Sequence, residues 1–342
     1  MGPLKPTWQV DVALLEVRNL TKTFPAPTYR GVVWAVNDVS FDVNEGTTLG
    51  LVGESGSGKT TVGRCIVGLA KPSSGAIRFE DVDMAKAVSR KSLLRSRIQI
   101  VFQEPYDALN PRRTIGEAIK EPLEILRDMT RADRMQRVID VSESLGLTVE
   151  SLVRFPHELS AGVLQRAGIA RAMVTDPRLL ILDEPTSLLD PTARADIIEL
   201  LISRQESTGV SYVFISHDLS SVRHISHELA VMYLGQVVES GPATTVFANP
   251  QHPYTKSLLS AILPPRPTER RSEYRLHGEI PSPIDLPSGC FLHARCPIAI
   301  ADCSIVRPEL KPIDDGVLGR CIRLPDYSAP GHPGDAVLGA RP

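Results

Sequence analysis

The 342-residue chain lacks a long apolar segment, and this absence limits the classes of protein it can belong to. No hydrophobic run reaches the roughly 18 residues that a transmembrane helix needs. The first residues, MGPLKPTWQVDV, lack the apolar core of a secretory signal peptide. The net charge of −2 gives no overall field that would attract nucleic acid. We therefore expect a cytosolic protein that binds no nucleic acid and reaches a membrane only through a partner.

Cysteine is also scarce, with five in the chain, but four of them lie close together near its end. They are Cys290, Cys296, Cys303 and Cys321, spaced C-x5-C-x6-C-x17-C. In a cytosolic protein, clustered cysteines indicate a metal site before they indicate disulfides. Four thiolates can hold Zn²⁺ or a [4Fe–4S] cluster. The loose spacing does not distinguish these two from four reduced thiols in a flexible tail.

What the chain does contain is an alternation of short apolar runs with helical patterns. The runs TTLGLVG, RIQIVFQ, RLLILDEP and VSYVFISHD are separated by amphipathic stretches. This order predicts an α/β fold with a mostly parallel sheet covered by helices. Residues 104–165 show helical patterns and no strand, which predicts an inserted helical subdomain. We expect a first domain at 1–262, a Pro- and Arg-rich linker at 263–275, and a cysteine-containing extension to residue 342.

The stretch GESGSGKT, Gly53–Thr60, fits the phosphate-loop pattern G-x-x-x-x-G-K-[ST] and lies between a predicted strand and a predicted helix. Glycines let backbone N–H groups surround a phosphate, and a lysine neutralises its charge. The threonine hydroxyl is suited to Mg²⁺. A flexible glycine loop is the alternative. The predicted contacts to ATP from this region are Gly53, Ser55, Gly56, Gly58, Lys59, Thr60 and Thr61.

A buried strand, LLILDEP, ends in Asp183 and Glu184. Beside a phosphate loop, the first carboxylate can bind Mg²⁺ and the second can polarise the attacking water. Such a pair taken alone is often only a solvated strand end.

These motifs, with LSAG preceding the strand that ends in Asp183 and Glu184, resemble the nucleotide-binding subunit of ABC transporters, a P-loop NTPase family. The resemblance covers residues 14–262. The resemblance implies that Gln103 contacts Mg²⁺, Asp190 reaches a dimer interface and His217 lies near the γ-phosphate. It places Phe24 against adenine, with Tyr29 and Trp34 as competitors for that position. His217 and Gln103 also have ordinary structural alternatives, a hydrogen-bonded core histidine and a strand end.

Three further stretches, VFQEPYDALNPR, ANPQHPYTKSLLSAI and LPSGCFLHARCP, are similar to the ATPases of bacterial oligopeptide and dipeptide importers. That resemblance implies two membrane permeases, a second ATPase and an extracytoplasmic solute-binding protein as partners. It implies a peripheral location on the cytoplasmic face of the cell membrane. It also implies a [4Fe–4S] cluster on the four cysteines. Importers of nickel chelates are related, so another small solute remains an alternative.

The family's usual signature, L-S-G-G-Q, is replaced here by residues 159–163, LSAGV. Ser160 and Gly162 are retained, and the resemblance implies that they contact the ATP of a partner subunit. If position 161 requires a positive φ, alanine costs about 1–2 kcal/mol there, and losing a polar side chain at position 163 costs about 0.5–1.5 kcal/mol. We expect a heterodimer whose impaired site faces this signature. Three alternatives remain. The protein could be a homodimer with two impaired sites, a complex in which both sites hydrolyse ATP, or a regulatory subunit that hydrolyses ATP weakly.

Overall fold

The computed structural model describes residues 13–26, 31–85, 93–126, 128–261, 274–314 and 316–324. Predictions at other positions, among them Tyr29 and residues 263–273 of the expected linker, lie outside this part of the chain. Across the described ranges, no helix combines the length and the apolar character needed to cross a membrane.

The described residues form twelve strands, eleven α-helices and two 3₁₀ turns. The strands are β1 (Leu15–Pro25), β2 (Val32–Val43), β3 (Thr48–Val52), β4 (Ser74–Phe79), β5 (Val82–Asp83), β6 (Ile98–Val101), β7 (Leu179–Asp183), β8 (Ser211–Ser216), β9 (Glu228–Tyr233), β10 (Gln236–Pro242), β11 (Lys311–Asp314) and β12 (Val317–Gly319). The α-helices are α1 (Lys59–Ile66), α2 (Leu93–Ser96), α3 (Pro105–Ala108), α4 (Ile115–Leu126), α5 (Arg131–Ser144), α6 (Val149–Leu152), α7 (Ala161–Met173), α8 (Pro191–Thr208), α9 (Leu219–Ile225), α10 (Ala243–Ala248) and α11 (Pro253–Ser260). The 3₁₀ turns are Pro156–Glu158 and Ala301–Ser304.

An eight-stranded sheet, in the order β11-β12-β10-β9-β3-β8-β7-β6, carries the fold. Its strands from β9 to β6 are parallel, and β10, β12 and β11 are added antiparallel. The predicted α/β fold is thereby confirmed. A second, antiparallel sheet in the order β2-β1-β4-β5 was not predicted. Register shifts along the pairing of β1 with β2 interrupt the alternation by which such strands are recognised in a sequence.

Buried side chains fall into two clusters, one on each face of the large sheet. Leu51 of β3 points into the cluster that also contains Leu15 and Phe79 of the antiparallel sheet. Val52, the next residue, points into the cluster formed with helices such as α4 and α7. Both faces of β3 are therefore covered, as expected for a central parallel strand. The chain between β6 and β7 is helical in its described residues, from α3 to α7.

Residues 274–314 and 316–324, here called the C-terminal segment, are attached to the large sheet through β12. The pairing joins Glu239 of β10 to Gly319 of β12. Phe291, Leu292 and Val317 are at most 4% exposed and belong to the core. The segment contains few apolar residues, but these are buried together and its backbone extends an existing sheet.

Candidate functional site

A cavity of about 530 Å³ opens at the edge where β3, β6, β7 and β8 end. The carboxyl ends of parallel strands are the usual position for ligand sites in such sheets. The lining residues are Val33, Ala35, Ser55, Gly56, Gly58, Lys59, Thr60, Thr61, Gln103, Glu184, His217 and Pro283. The predicted phosphate loop, loop glutamine, strand-end glutamate and histidine are thus brought together, although they are far apart in the sequence.

The phosphate loop follows β3 directly and ends at the first turn of α1. Gly58 has φ +101°, and a Cβ there would lie 2.1 Å from the Ala35 carbonyl oxygen. A Cβ on Gly53 would lie 2.2 Å from the Met232 carbonyl oxygen. Only glycine fits at these two positions, because the loop is pressed against the neighbouring strands. Gly53 is not part of the cavity lining.

Lys59 is buried, and its ammonium group is bound by the loop itself. Its Nζ donates to the carbonyl oxygens of Gly53 (2.8 Å) and Glu54 (3.0 Å) and to Ser57 Oγ (3.3 Å). Burial lowers the pKa of Lys59, while the nearby charge of Glu184 opposes this shift. A buried cation at a wall of the cavity is suited to an anionic phosphate.

Asp183 and Thr60 form a candidate Mg²⁺ site at the base of the cavity. The Thr60 hydroxyl donates to Asp183 Oδ1 at 2.9 Å. Burial raises the pKa of Asp183, the Thr60 hydrogen bond lowers it, and the adjacent Glu184 carboxylate raises it. A divalent cation would offset both the burial and the repulsion, so hydroxyl and carboxylate oxygens at this position fit Mg²⁺.

The Glu184 carboxylate contacts two other side chains of the cavity lining. One of its oxygens, Oε2, lies 3.0 Å from His217 Nδ1 and 3.4 Å from Gln103 Nε2. Its backbone N–H donates to the Ile215 carbonyl at 2.9 Å, which extends the β7–β8 ladder by one residue. Its φ of +49° is in the left-handed region, which is uncommon for a residue with a side chain. The fold thus holds this carboxylate at the cavity despite an unfavourable backbone conformation.

Phe24 and Asp190 are predicted site residues that lie away from the cavity lining. Phe24 is 39% exposed on β1, and the Lys22 ammonium lies 4.6 Å from its ring centre. Trp34, a competitor for the same role, is also absent from the lining. Asp190 is exposed and caps α8, because its Oδ1 accepts from the N–H groups of Thr192 and Ala193 at 3.0 Å each. Val33, Ala35 and Pro283 line the cavity instead, and the placement of Phe24 against adenine stays a prediction.

The signature residues form the start of α7, outside the cavity. Ser160 is the exposed N-cap residue, and its side chain makes no capping hydrogen bond. Ala161 begins the helix, and neither it nor Gly162 has a positive φ. The backbone penalty considered for alanine at position 161 therefore does not arise. Val163 packs against the hydrophobic core, which accounts for an apolar residue at that position.

The four cysteines of the C-terminal segment are unpaired thiols with restricted exposure. Burial, together with the charges of Cys321, Cys303 and Cys296, raises the pKa of Cys290 to about 12. The thiols are therefore near enough to influence one another. Within the described ranges, however, no three His, Cys, Asp or Glu side chains are arranged to hold a metal ion. The arrangement gives no support to the predicted metal or cluster site.

Sequence reasoning missed Val33, Ala35 and Pro283, which complete the cavity wall. Val33 and Ala35 lie in the antiparallel sheet, which was itself not predicted. Pro283 belongs to the C-terminal segment, about 220 residues from Lys59 in the sequence. Apolar residues in a wall carry no local motif, so no pattern in the sequence indicated them.

A phosphate loop, a strand-end Asp–Glu pair and a glutamine and histidine at one cavity define an ABC-type ATPase. Residues 36–187 match the ABC transporter family, and residues 238–303 match the oligopeptide/dipeptide transporter C-terminal region. The chain resembles the ABC cassette MJ0796 in its ADP- and phosphate-bound dimer, with a TM-score of 0.61 and 26% identity over 67% of this chain and 98% of that one.

Curated relatives match nearly the whole chain. A probable peptide ABC transporter ATP-binding protein of Sinorhizobium fredii is 45% identical over 93% of this chain and 92% of its own length. The dipeptide transport ATP-binding protein DppF of Escherichia coli is 42% identical over 87% and 91%. A putative peptide import ATP-binding protein of Brucella ovis is 41% identical over 92% and 98%. The chain belongs to this family of ABC transporter ATP-binding proteins.

Proposed function

We propose that the chain is the ATP-hydrolysing subunit of a bacterial importer for oligopeptides or dipeptides. The activities named for its relatives support this choice of solute. One observation carries the catalytic part: Glu184, His217 and Gln103 share a hydrogen-bonded contact at the phosphate-loop cavity. The subunit would attach to the cytoplasmic face of the cell membrane through two permeases, with an extracytoplasmic solute-binding protein as an indirect partner.

In the proposed reaction, Glu184 polarises a water molecule that attacks the γ-phosphorus of ATP, and the bond to ADP breaks. Lys59 neutralises the phosphate oxygens, and His217 holds the Glu184 carboxylate and faces the transferred group. Thr60, Asp183 and Gln103 would hold Mg²⁺, which supplies positive charge for the β- and γ-phosphates. Ser55, Gly56, Gly58 and Thr61, which line the cavity, would bind the remaining phosphate oxygens.

We further propose that this chain pairs with a different ATPase subunit. Its own cavity has the groups for hydrolysis, whereas its signature departs from the family pattern at Ala161 and Val163. Ser160 and Gly162 would face the partner's ATP, and Asp190 would lie near the same interface. The asymmetry would then come from the side chain lost at position 163, since the backbone at position 161 is ordinary helix.

The test is ATP turnover and peptide uptake by the assembled complex with Glu184→Gln in this chain alone. Removing the carboxylate charge leaves the phosphate contacts in place, so ATP should still bind while turnover falls about 100-fold or more. Glu199→Gln is a matched control, because Glu199 also pairs with a histidine (His224, 2.9 Å) but on the exposed surface. Its turnover should equal that of the wild type.

Substantial turnover in the Glu184→Gln complex would mean that hydrolysis occurs at the partner's phosphate loop. This chain would then be a regulatory subunit that binds ATP and hydrolyses it weakly. Uptake of a nickel chelate in place of a labelled dipeptide would contradict the peptide assignment and leave the ATPase assignment intact.

We also propose that Cys290, Cys296, Cys303 and Cys321 hold a [4Fe–4S] cluster, with Zn²⁺ as the alternative. The proposal rests on the resemblance of the cysteine-containing stretch to the importer ATPases. The described thiols are not arranged to hold a metal, so binding would have to draw them together and displace their protons. Protein purified without oxygen should contain iron and acid-labile sulfide in equal amounts. Cys303→Ser should remove both, and Cys65→Ser should remove neither. Zinc alone, or no metal, would contradict the cluster.

A further inference from the structure

The phosphate loop is bound by an arginine of the C-terminal segment. Arg295 Nη1 lies 3.3 Å from Oε2 of Glu54, the second residue of the loop, and 3.4 Å from the Tyr233 hydroxyl. The Arg295 side chain is only 11% exposed, and its guanidinium carbon lies 5.8 Å from the centre of the Tyr233 ring. A contact between charged groups that is largely shielded from water is stronger than one on the surface.

Glu54 is in turn fixed through its backbone. Its N–H donates to the Tyr254 hydroxyl at 2.8 Å, and its carbonyl accepts from Lys59 Nζ at 3.0 Å. Tyr254 packs against Tyr233, with ring centres 4.7 Å apart. The carboxylate contact with Arg295 therefore restrains the same residue whose carbonyl holds the phosphate-binding lysine.

The C-terminal segment also forms part of the cavity wall. Pro283 lines the main cavity together with Val33 and Ala35. Residues 280–283 line an adjoining cavity of about 280 Å³ whose opposite side is formed by phosphate-loop residues 54–57. The position of Pro283 is fixed, because its carbonyl oxygen accepts from the Trp34 N–H at 2.9 Å.

We propose that the C-terminal segment completes the nucleotide site of its own chain: Pro283 forms a wall beside the nucleoside, and Arg295 positions the phosphate loop through Glu54. This inference rests on the proposed binding of ATP at the cavity. Arg295 is a positioning residue, since it reaches the ligand only through Glu54 and Lys59. Proline at this wall offers an apolar face to a base or ribose.

Equilibrium binding of Mg·ATP to the full chain, and KM and kcat of the assembled complex, test the role of Arg295. Arg295→Gln should raise the Kd and KM about tenfold, because it removes a charged hydrogen bond that restrains the loop, and kcat should change little. Glu54→Gln should have a similar effect. The double variant should bind Mg·ATP as tightly as the weaker-binding single variant, because both substitutions remove the same contact. Arg295→Lys should recover part of the affinity.

Arg307→Gln is the matched control. Arg307 belongs to the same segment, but its guanidinium lies over the Phe291 ring at 4.8 Å. Its Kd for Mg·ATP should equal that of the wild type. Wild-type affinity in Arg295→Gln, or losses that multiply in the double variant, would overturn the positioning role.

Photolabelling with 8-azido-ATP tests the wall. Trypsin releases residues 276–295 as one peptide, which contains Pro283, and this peptide should carry the label in the wild type but not in the presence of excess ATP. Label found only on peptides from β1 and β2 would contradict the proposed position of Pro283 beside the nucleoside.

Lys59→Ala separates this inference from the proposed function on which it rests. If the wild type does not bind Mg·ATP, the proposed function itself fails. If the wild type binds, Lys59→Ala does not, and Arg295→Gln binds normally, only the inference fails.

Discussion

At the scale of single residues, Glu184 combines a left-handed backbone conformation with side-chain contacts to two other residues of the cavity lining. Its φ of +49° is a conformation that a residue with a side chain adopts at a cost of about 1–2 kcal/mol. The N–H bond to Ile215 and the contacts to His217 and Gln103 hold it there. Strain of this kind at a cavity carboxylate is consistent with selection for position over stability.

Replacing Glu184 by glycine and by alanine measures that strain. Both variants lack the carboxylate, but only alanine keeps the Cβ that makes a positive φ unfavourable. The free energy of unfolding measured by urea denaturation should therefore be about 1 kcal/mol higher for Glu184→Gly than for Glu184→Ala.

The same pair of substitutions at Glu199, within helix α8, is the control. There the order should reverse, with alanine about 1 kcal/mol more stable than glycine, because a regular helix favours alanine. The same order at both positions would show that residue 184 relaxes out of the left-handed region.

At the scale of elements, helix α7 shows how the two residues that differ from the family signature are accommodated. Alanine at position 161 is a normal first residue of a helix, and Val163 contributes to the core. Any weakness of this signature must therefore come from the polar group missing at position 163, and not from the backbone.

Restoring the family pattern in this helix tests that origin. In the proposed heterodimer with Glu184→Gln in this chain, hydrolysis would be left to the partner's phosphate loop, which would face this signature. Adding Ala161→Gly and Val163→Gln to that chain should raise its residual turnover about 3- to 10-fold, because a polar contact to the partner's nucleotide is regained.

Ala161→Gly alone in the same background is the control, and it should leave turnover unchanged. Equal turnover with and without Val163→Gln would show that the signature as it stands is fully tolerated. Thermal unfolding of each variant chain measures any stability lost through packing at position 163. Such a loss can then be distinguished from an effect on hydrolysis.

The elements also show which parts of the site a sequence can reveal. Lys59, Asp183 and Glu184 were predicted because glycine spacing and a buried strand end are local patterns. The cavity wall was not predicted, because apolar residues such as Val33 and Pro283 become site residues only through tertiary placement. Conversely, the condition considered for position 161, a positive φ, is not met, since the residue's conformation is set by the helix that it begins.

At the scale of the whole molecule, the sheet joins regions that appeared separate in the sequence. The predicted boundary near residue 262 remains a prediction, yet the chain beyond it supplies β12 to the edge of the large sheet. Arg320 is buried there; its backbone N–H donates to the Val238 carbonyl at 2.8 Å and its Nε to the Val237 carbonyl at 2.9 Å. The C-terminal segment is therefore bonded to the framework that carries the cavity.

Pro283 lies about 220 residues after the phosphate loop whose cavity it lines, and this separation has a consequence for biosynthesis. A ribosome releases the chain from its N-terminus, so the loop and the strands β3, β7 and β8 emerge well before the last wall of the cavity. Until residue 283 has been released, the pocket lacks the wall that Pro283 provides. The finished pocket therefore requires a chain that has been synthesised past residue 283.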